Sequence, residues 1–113
     1  MKPIDFEAVL RDIIAKSEVL AQELLKDFTK QGVAAVKQFL IDSKDDLQRY
    51  TPELAEGQID QDDFDDLIKG QVSAALMIGL EETGLAQVEL DKFTAGVTNI
   101  VVAVAFDAAK GLL

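Results

Sequence analysis

Between Pro3 and Pro52 the chain contains no proline, and along that length apolar side chains return every three or four positions. That spacing gathers them on one face of an α-helix, whereas a half-buried strand would need them at every second position. Phe6, Val9, Leu10, Ile13, Leu20, Leu24 and Phe28 form the stripe, and Ile14 and Leu25 widen it. Asp5 stands where its carboxylate can cap the first-turn N–H groups, and Ile4 and Val9 hold the two positions of a hydrophobic staple. Glu7 with Arg11, and Asp12 with Lys16, are acid-first pairs four apart, each worth about 0.3 kcal/mol.

The weak point of this segment is Thr29-Lys30-Gln31-Gly32, because glycine costs about 1 kcal/mol inside a helix relative to alanine. Periodicity resumes at Val33, Val36, Phe39, Leu40 and Leu47. Either the helix breaks near Gly32 or one helix spans 5 to 50. The single helix would be roughly 70 Å long at about 1.5 Å per residue, against a radius of gyration of roughly 13 Å for a compact chain of this size. It would need a partner chain to cover its far half. Thr51-Pro52 predicts an end to the segment, followed by a single turn over 52–56 stopped by Gly57.

The second half begins with the stronger start signal. Asp60 can cap, Ile59 and Phe64 can staple, and Asp62 and Asp63 suit the positive end of the helix dipole. The stripe continues through Leu67, Ile68, Val72, Leu76 and Leu80. Between Val72 and Leu80 the helix is apolar nearly all round, which predicts burial on several sides. Gly70, Ala74, Ala75 and Gly79 are spaced to let another helix approach closely. Thr83-Gly84 is a stop, with Gly84 suited to the left-handed conformation. In the last element Ile100, Val101, Val102 and Val104 have high strand propensity. No partner strand is in view, so the segment is expected to be a buried helix.

The chemistry available is narrow. Cysteine and histidine are absent, which removes disulfides, thiolates, the commonest general base and the commonest transition-metal ligand. The longest uncharged run, Phe93 to Phe106, is shorter than the about 20 residues of a bilayer span, so no transmembrane segment is expected. No apolar stretch ending in small residues follows the N-terminus, and a cytoplasmic protein is expected. The net charge of −10 is uneven. Residues 1–41 balance, whereas residues 42–66 set ten acids against Lys44 and Arg49. Such a charge argues against direct nucleic-acid binding, which needs a basic footprint, and against attraction to anionic lipid.

Specific sites fare poorly when their ligands are counted. Read as a calcium loop from Asp60, the third position is Asp62, but Phe64, Asp65 and Gln71 fall where a ligand, a glycine and a glutamate belong. A solvated helix start accounts for this acidic run. A carboxylate dimetal site would need Glu-x-x-His pairs facing inward. No Gly-x-Ser-x-Gly or phosphate-binding glycine loop occurs. Ser17, Ser43 and Ser73 fall at helical positions, and Tyr50 reads as a packing anchor at a helix end.

These features predict an all-α protein: one compact helical domain over residues 1–113, with helices near 5–30, 33–50, 60–83 and 86–112 and a turn at 52–56. The expected core is Phe6, Leu10, Ile13, Leu20, Leu24, Phe28, Val36 and Leu40 from the first half. From the second half it is Leu67, Ile68, Val72, Leu76, Ile100, Val104 and Phe106. Neither catalysis nor a cofactor or metal is expected. The leading expectation is a non-catalytic interaction or assembly protein working as a homo-oligomer, with Phe6, Leu10, Ile13, Leu20, Leu24 and Phe28 as its interface. The alternative is an acidic monomeric inhibitor or chaperone-like binder, docking Asp45, Asp46, Asp60, Asp62, Asp63, Asp65 and Asp66 on a basic protein. A third option is adsorption to an apolar or lipid surface, which the balanced charge of the first helix weakens.

Overall fold

The two acid caps act as the local chemistry demands. Asp5 accepts from the Ala8 N–H at 3.2 Å and Asp60 from the Asp63 N–H at 2.8 Å. The computed structural model describes residues 5–111; Ile4, and with it the first staple, lies outside them, as does the expected end of the last helix at residue 112. Among the described residues the chain forms α1 (Phe6–Leu24), α2 (Thr29–Ala55), α3 (Gln61–Leu80) and α4 (Gln87–Lys110), with 3-10 turns at Lys26–Phe28 and Glu81–Thr83 and no strand. The strand-prone run at 100–104 is helical.

The first segment turns back on itself, and earlier than Gly32. Helix α1 stops at Leu24, Lys26 takes a φ of 48°, and the Thr29 hydroxyl donates to the Lys26 carbonyl at 2.6 Å. The single helix from 5 to 50 is therefore not formed. Gly32 lies inside α2, where a Cβ would run into the Leu25 side chain and stand 3.3 Å from Phe93. It is a packing glycine rather than a breaker.

The expected end at Thr51-Pro52 and the separate turn at 52–56 are also corrected: α2 runs through Pro52 to Ala55. Proline inside a helix costs about 3 kcal/mol. Against this, Leu47 and Thr51 are buried and Leu54 packs on the core; a fully buried Leu side chain contributes about 1.5–3 kcal/mol. The helix then closes in a Schellman motif, with Gln58 N–H donating to the Glu53 carbonyl at 2.8 Å and Gly57 N–H to that of Leu54 at 3.2 Å. Gly57 has a φ of 75° and Gly84 one of 80°, so both glycine stops fall where expected.

The helices pack in sequence order around one core, with α1 and α3 on opposite corners and α2 touching α4 across the middle. The molecule measures 45 × 23 × 20 Å. Phe39, Phe64 and Phe93 are the largest fully enclosed side chains. Ile13, Val36, Leu40, Ile68, Val72, Leu76 and Val104 are buried as expected. Phe6, Leu10, Leu20, Leu24, Phe28 and Ile100 are half-buried against the same cluster; Phe106 is half-buried too, under the Lys110 ammonium. The inner edge of α1 runs Val9, Ile13, Ser17 and Ala21, so its middle is lined by small residues rather than by the large ones.

Two expectations for α3 fail together. Its inner stripe is Phe64, Ile68, Val72, Leu76 and Leu80 at four-residue steps. Leu67 stands one position off that row and is 38% exposed, not core. The stretch from Val72 to Leu80 is not enclosed all round, since Met77 and Ile78 face solvent. One bundle face of α3 suffices for the core, and among the described residues no further helix covers the other, where Gln87 reaches the Met77 sulfur at 3.9 Å.

Candidate interaction surfaces

The residues expected to form an oligomer interface all take part in the monomer's own packing. Ile13 is fully enclosed. Phe6, Leu10, Leu20, Leu24 and Phe28 each turn most of their surface toward the core. Because α1 folds back on α2, the premise of a helix too long for one chain to cover does not hold.

The acidic residues spread along the α2–α3 side. Asp45 and Asp46 sit on α2, where Asp46 accepts from the Gln71 side chain at 3.2 Å and lies 3.9 Å from Arg49. Arg49 stacks 4.5 Å from the Tyr50 ring centre and donates to its hydroxyl, which holds the guanidinium pKa above its ordinary value. Asp60, Asp62, Asp63 and Asp66 are exposed in the first turns of α3. Asp65 differs from them, with one carboxylate oxygen buried and lacking a hydrogen-bond partner. Among the described residues no group of three or more carboxylates converges to hold a metal ion. Ser17 and Ser43 are buried in the seams and Ser73 is half-buried.

The outward face of α3 was not anticipated. Leu67, Gly70, Ala74, Met77 and Ile78 recur at helical spacing and all are exposed, Ile78 at 76%. A Cβ at Gly70 would meet nothing within 4 Å. No charge occurs between Lys69 and Glu81, so this strip is apolar and flanked by acids: Asp63 and Asp66 at one end, Glu81 at the other. Met77 and Ile78 recurring one and a half heptads after Leu67 were legible signals. Composition alone gives Leu67 to the core and the Val72–Leu80 stretch burial on several sides, because one helix face cannot be told from its opposite by composition.

A second surface lies between α1 and α2. Leu10, Ile14, Val33 and Leu40 form its floor, and Ile41 stands beside it, 71% exposed. Lys30, Lys37 and Lys44 line its α2 edge at seven-residue intervals, and Glu7 and Glu18 line its α1 edge. Lys44 reaches Glu7 across the seam at 3.5 Å, the partner Glu7 takes in place of Arg11. Lys30 and Lys37 have no carboxylate within salt-bridge distance among the described residues. The regular lysine spacing was present in the sequence, hidden by the overall acidity of the chain.

Helix α4 is long and apolar enough to cross a membrane by length and composition, although Leu90, Phe93, Val97, Val101 and Val104 face the bundle core. Comparison with protein-family models, with characterised proteins and with solved structures finds no match.

Proposed function

We propose that this chain is a non-catalytic helical interaction protein that works by associating with copies of itself. The observation that carries this is the uncovered apolar strip of α3. Its largest members, Leu67, Met77 and Ile78, are exposed although the bundle already encloses a full core. Burying apolar surface stabilises by about 25 cal/mol per Å², and apolar side chains gathered into one exposed patch, unlike ones scattered singly, mark interaction sites. Light scattering coupled to size exclusion tests it. A mass above that of one chain is expected, rising with protein concentration. A single-chain mass at every concentration and salt would reject self-association.

The exposed acids at the start of α3 favour a second reading, in which the monomer docks on a basic protein. Changing Asp60 and Asp62, exposed acids that do not flank the strip, to Asn distinguishes the two. Under self-association through the apolar strip, the variant still assembles; under the alternative, it loses capture of its basic partner.

A further inference from the structure

We infer that the strip on α3 of one copy seats in the lysine-edged groove between α1 and α2 of the next, so that copies join head to tail. This rests on the self-association just proposed and names the surface that receives it. The two surfaces lie on different sides of the bundle, because α1 and α3 occupy opposite corners. One copy can therefore offer its strip and its groove at once.

Charge selects the pairing. On a protein of net charge −10, most faces of two copies repel one another. Along the α2 edge of the groove three lysines line up over an apolar floor, against Glu7 and Glu18 on the α1 edge; Lys44 is held by Glu7, and Lys30 and Lys37 are unsatisfied by any carboxylate among the described residues. The α3 strip has the complementary order, acid, apolar, acid. Asp66 and Glu81 are fifteen positions apart, about 22 Å along a helix, and Lys30 and Lys44 are fourteen apart, about 21 Å. With Asp66 set on Lys30, and Glu81 taking Lys44 from its partner Glu7, Met77 and Ile78 come to lie against Ile41 and the groove floor. Packing two α3 strips against each other antiparallel would instead bring Asp66 of each copy toward Glu81 of the other. Like charges facing each other disfavour that isologous pairing.

A contact between two different patches does not close on itself by necessity. It produces rings if the rotation closes and open chains if it does not. The expected species are therefore larger than dimers, growing with concentration.

The absence of cysteine makes the test clean. Two single-site variants, Ile41→Cys and Ile78→Cys, are prepared separately, each at a side chain that faces solvent and does not support the fold. Under mild oxidation in about 0.15 M salt, where the screening length is about 8 Å, the mixture is expected to form disulfide-linked pairs and each variant alone to form few. Efficient linking of Ile78→Cys with itself would overturn the head-to-tail contact while leaving self-association standing. So would a mass above one chain with no linking in the mixture. A single-chain mass together with no linking would reject both.

Charge reversal supplies a second measurement. Lys30→Glu with Lys44→Glu in one copy, or Asp66→Lys with Glu81→Lys in another, should weaken association of that variant with itself by about tenfold or more, the scale of losing close interfacial charge pairs. Mixing the two variants should restore it. Failure of the mixture to recover, with both variants folded by circular dichroism, would overturn the pairing.

Discussion

Gly32 in α2 and Gly70 in α3 sit in equally apolar helical surroundings, yet one is enclosed and the other stands open. At Gly32 a side chain would collide with Leu25 and crowd Phe93; at Gly70 it would touch nothing. Helix α2 is packed on by α1, α3 and α4, while on the outer side of α3 Gly70, Ala74, Met77 and Ile78 are exposed, with Gln87 reaching only the Met77 sulfur. The difference teaches that apolar composition reports the capacity to be buried, and that the number of neighbouring elements decides whether burial happens. Where capacity exceeds coverage, the surplus is available to another molecule.

The sharpest way to break this comparison is Gly32→Val. Overpacking of an enclosed site costs about 1–3 kcal/mol, and the expected loss lies toward the upper end because Leu25 and Phe93 both have to move. Denaturant unfolding monitored by circular dichroism measures it; an unchanged midpoint would mean that the α1–α2 turn is looser than described. Gly70→Ala should move stability the other way, by about 0.5–1 kcal/mol, since alanine loses less backbone freedom in a helix and meets no obstacle. Ile78→Asn should have the smallest effect on folding, within about 0.5 kcal/mol for an exposed position, while lowering the mass seen by light scattering. If Ile78→Asn destabilised the monomer by several times that amount, the strip would be part of the fold rather than a contact surface.

The turn at Leu25–Phe28 is a comparable case in the backbone. Lys26 adopts a φ of 48°, a conformation that costs a non-glycine residue about 1–2 kcal/mol. A glycine signal drew attention to position 32 instead, because a local rule ranks glycine as the first candidate for a break. The break falls earlier, and Gly32 instead leaves room inside α2 for Leu25 on one side and for Phe93 of α4, far away in the chain, on the other. Pro52 reverses the lesson: a strong local stop is overridden because Leu47, Thr51 and Leu54 pack on one side of the same helix. Of the acidic surface, the exposure of Asp60, Asp62, Asp63 and Asp66 was legible from their place at a helix start. The inward turn of Asp65 was not.

By itself the sequence determined the all-helical class, both aspartate caps, both glycine stops, and the helical state of the strand-prone run at 100–104. These depend on interactions within about four residues, or on the absence of any partner strand. Only the tertiary structure decided where α1 folds back, whether Pro52 ends a helix, that Ser17 and Ala21 line the α1 seam, and that Leu67 and Ile78 look outward. Those outcomes turn on which helices stand beside which. Helical periodicity defines the faces of each helix, and the packing of four helices into one bundle leaves some apolar faces without a neighbour.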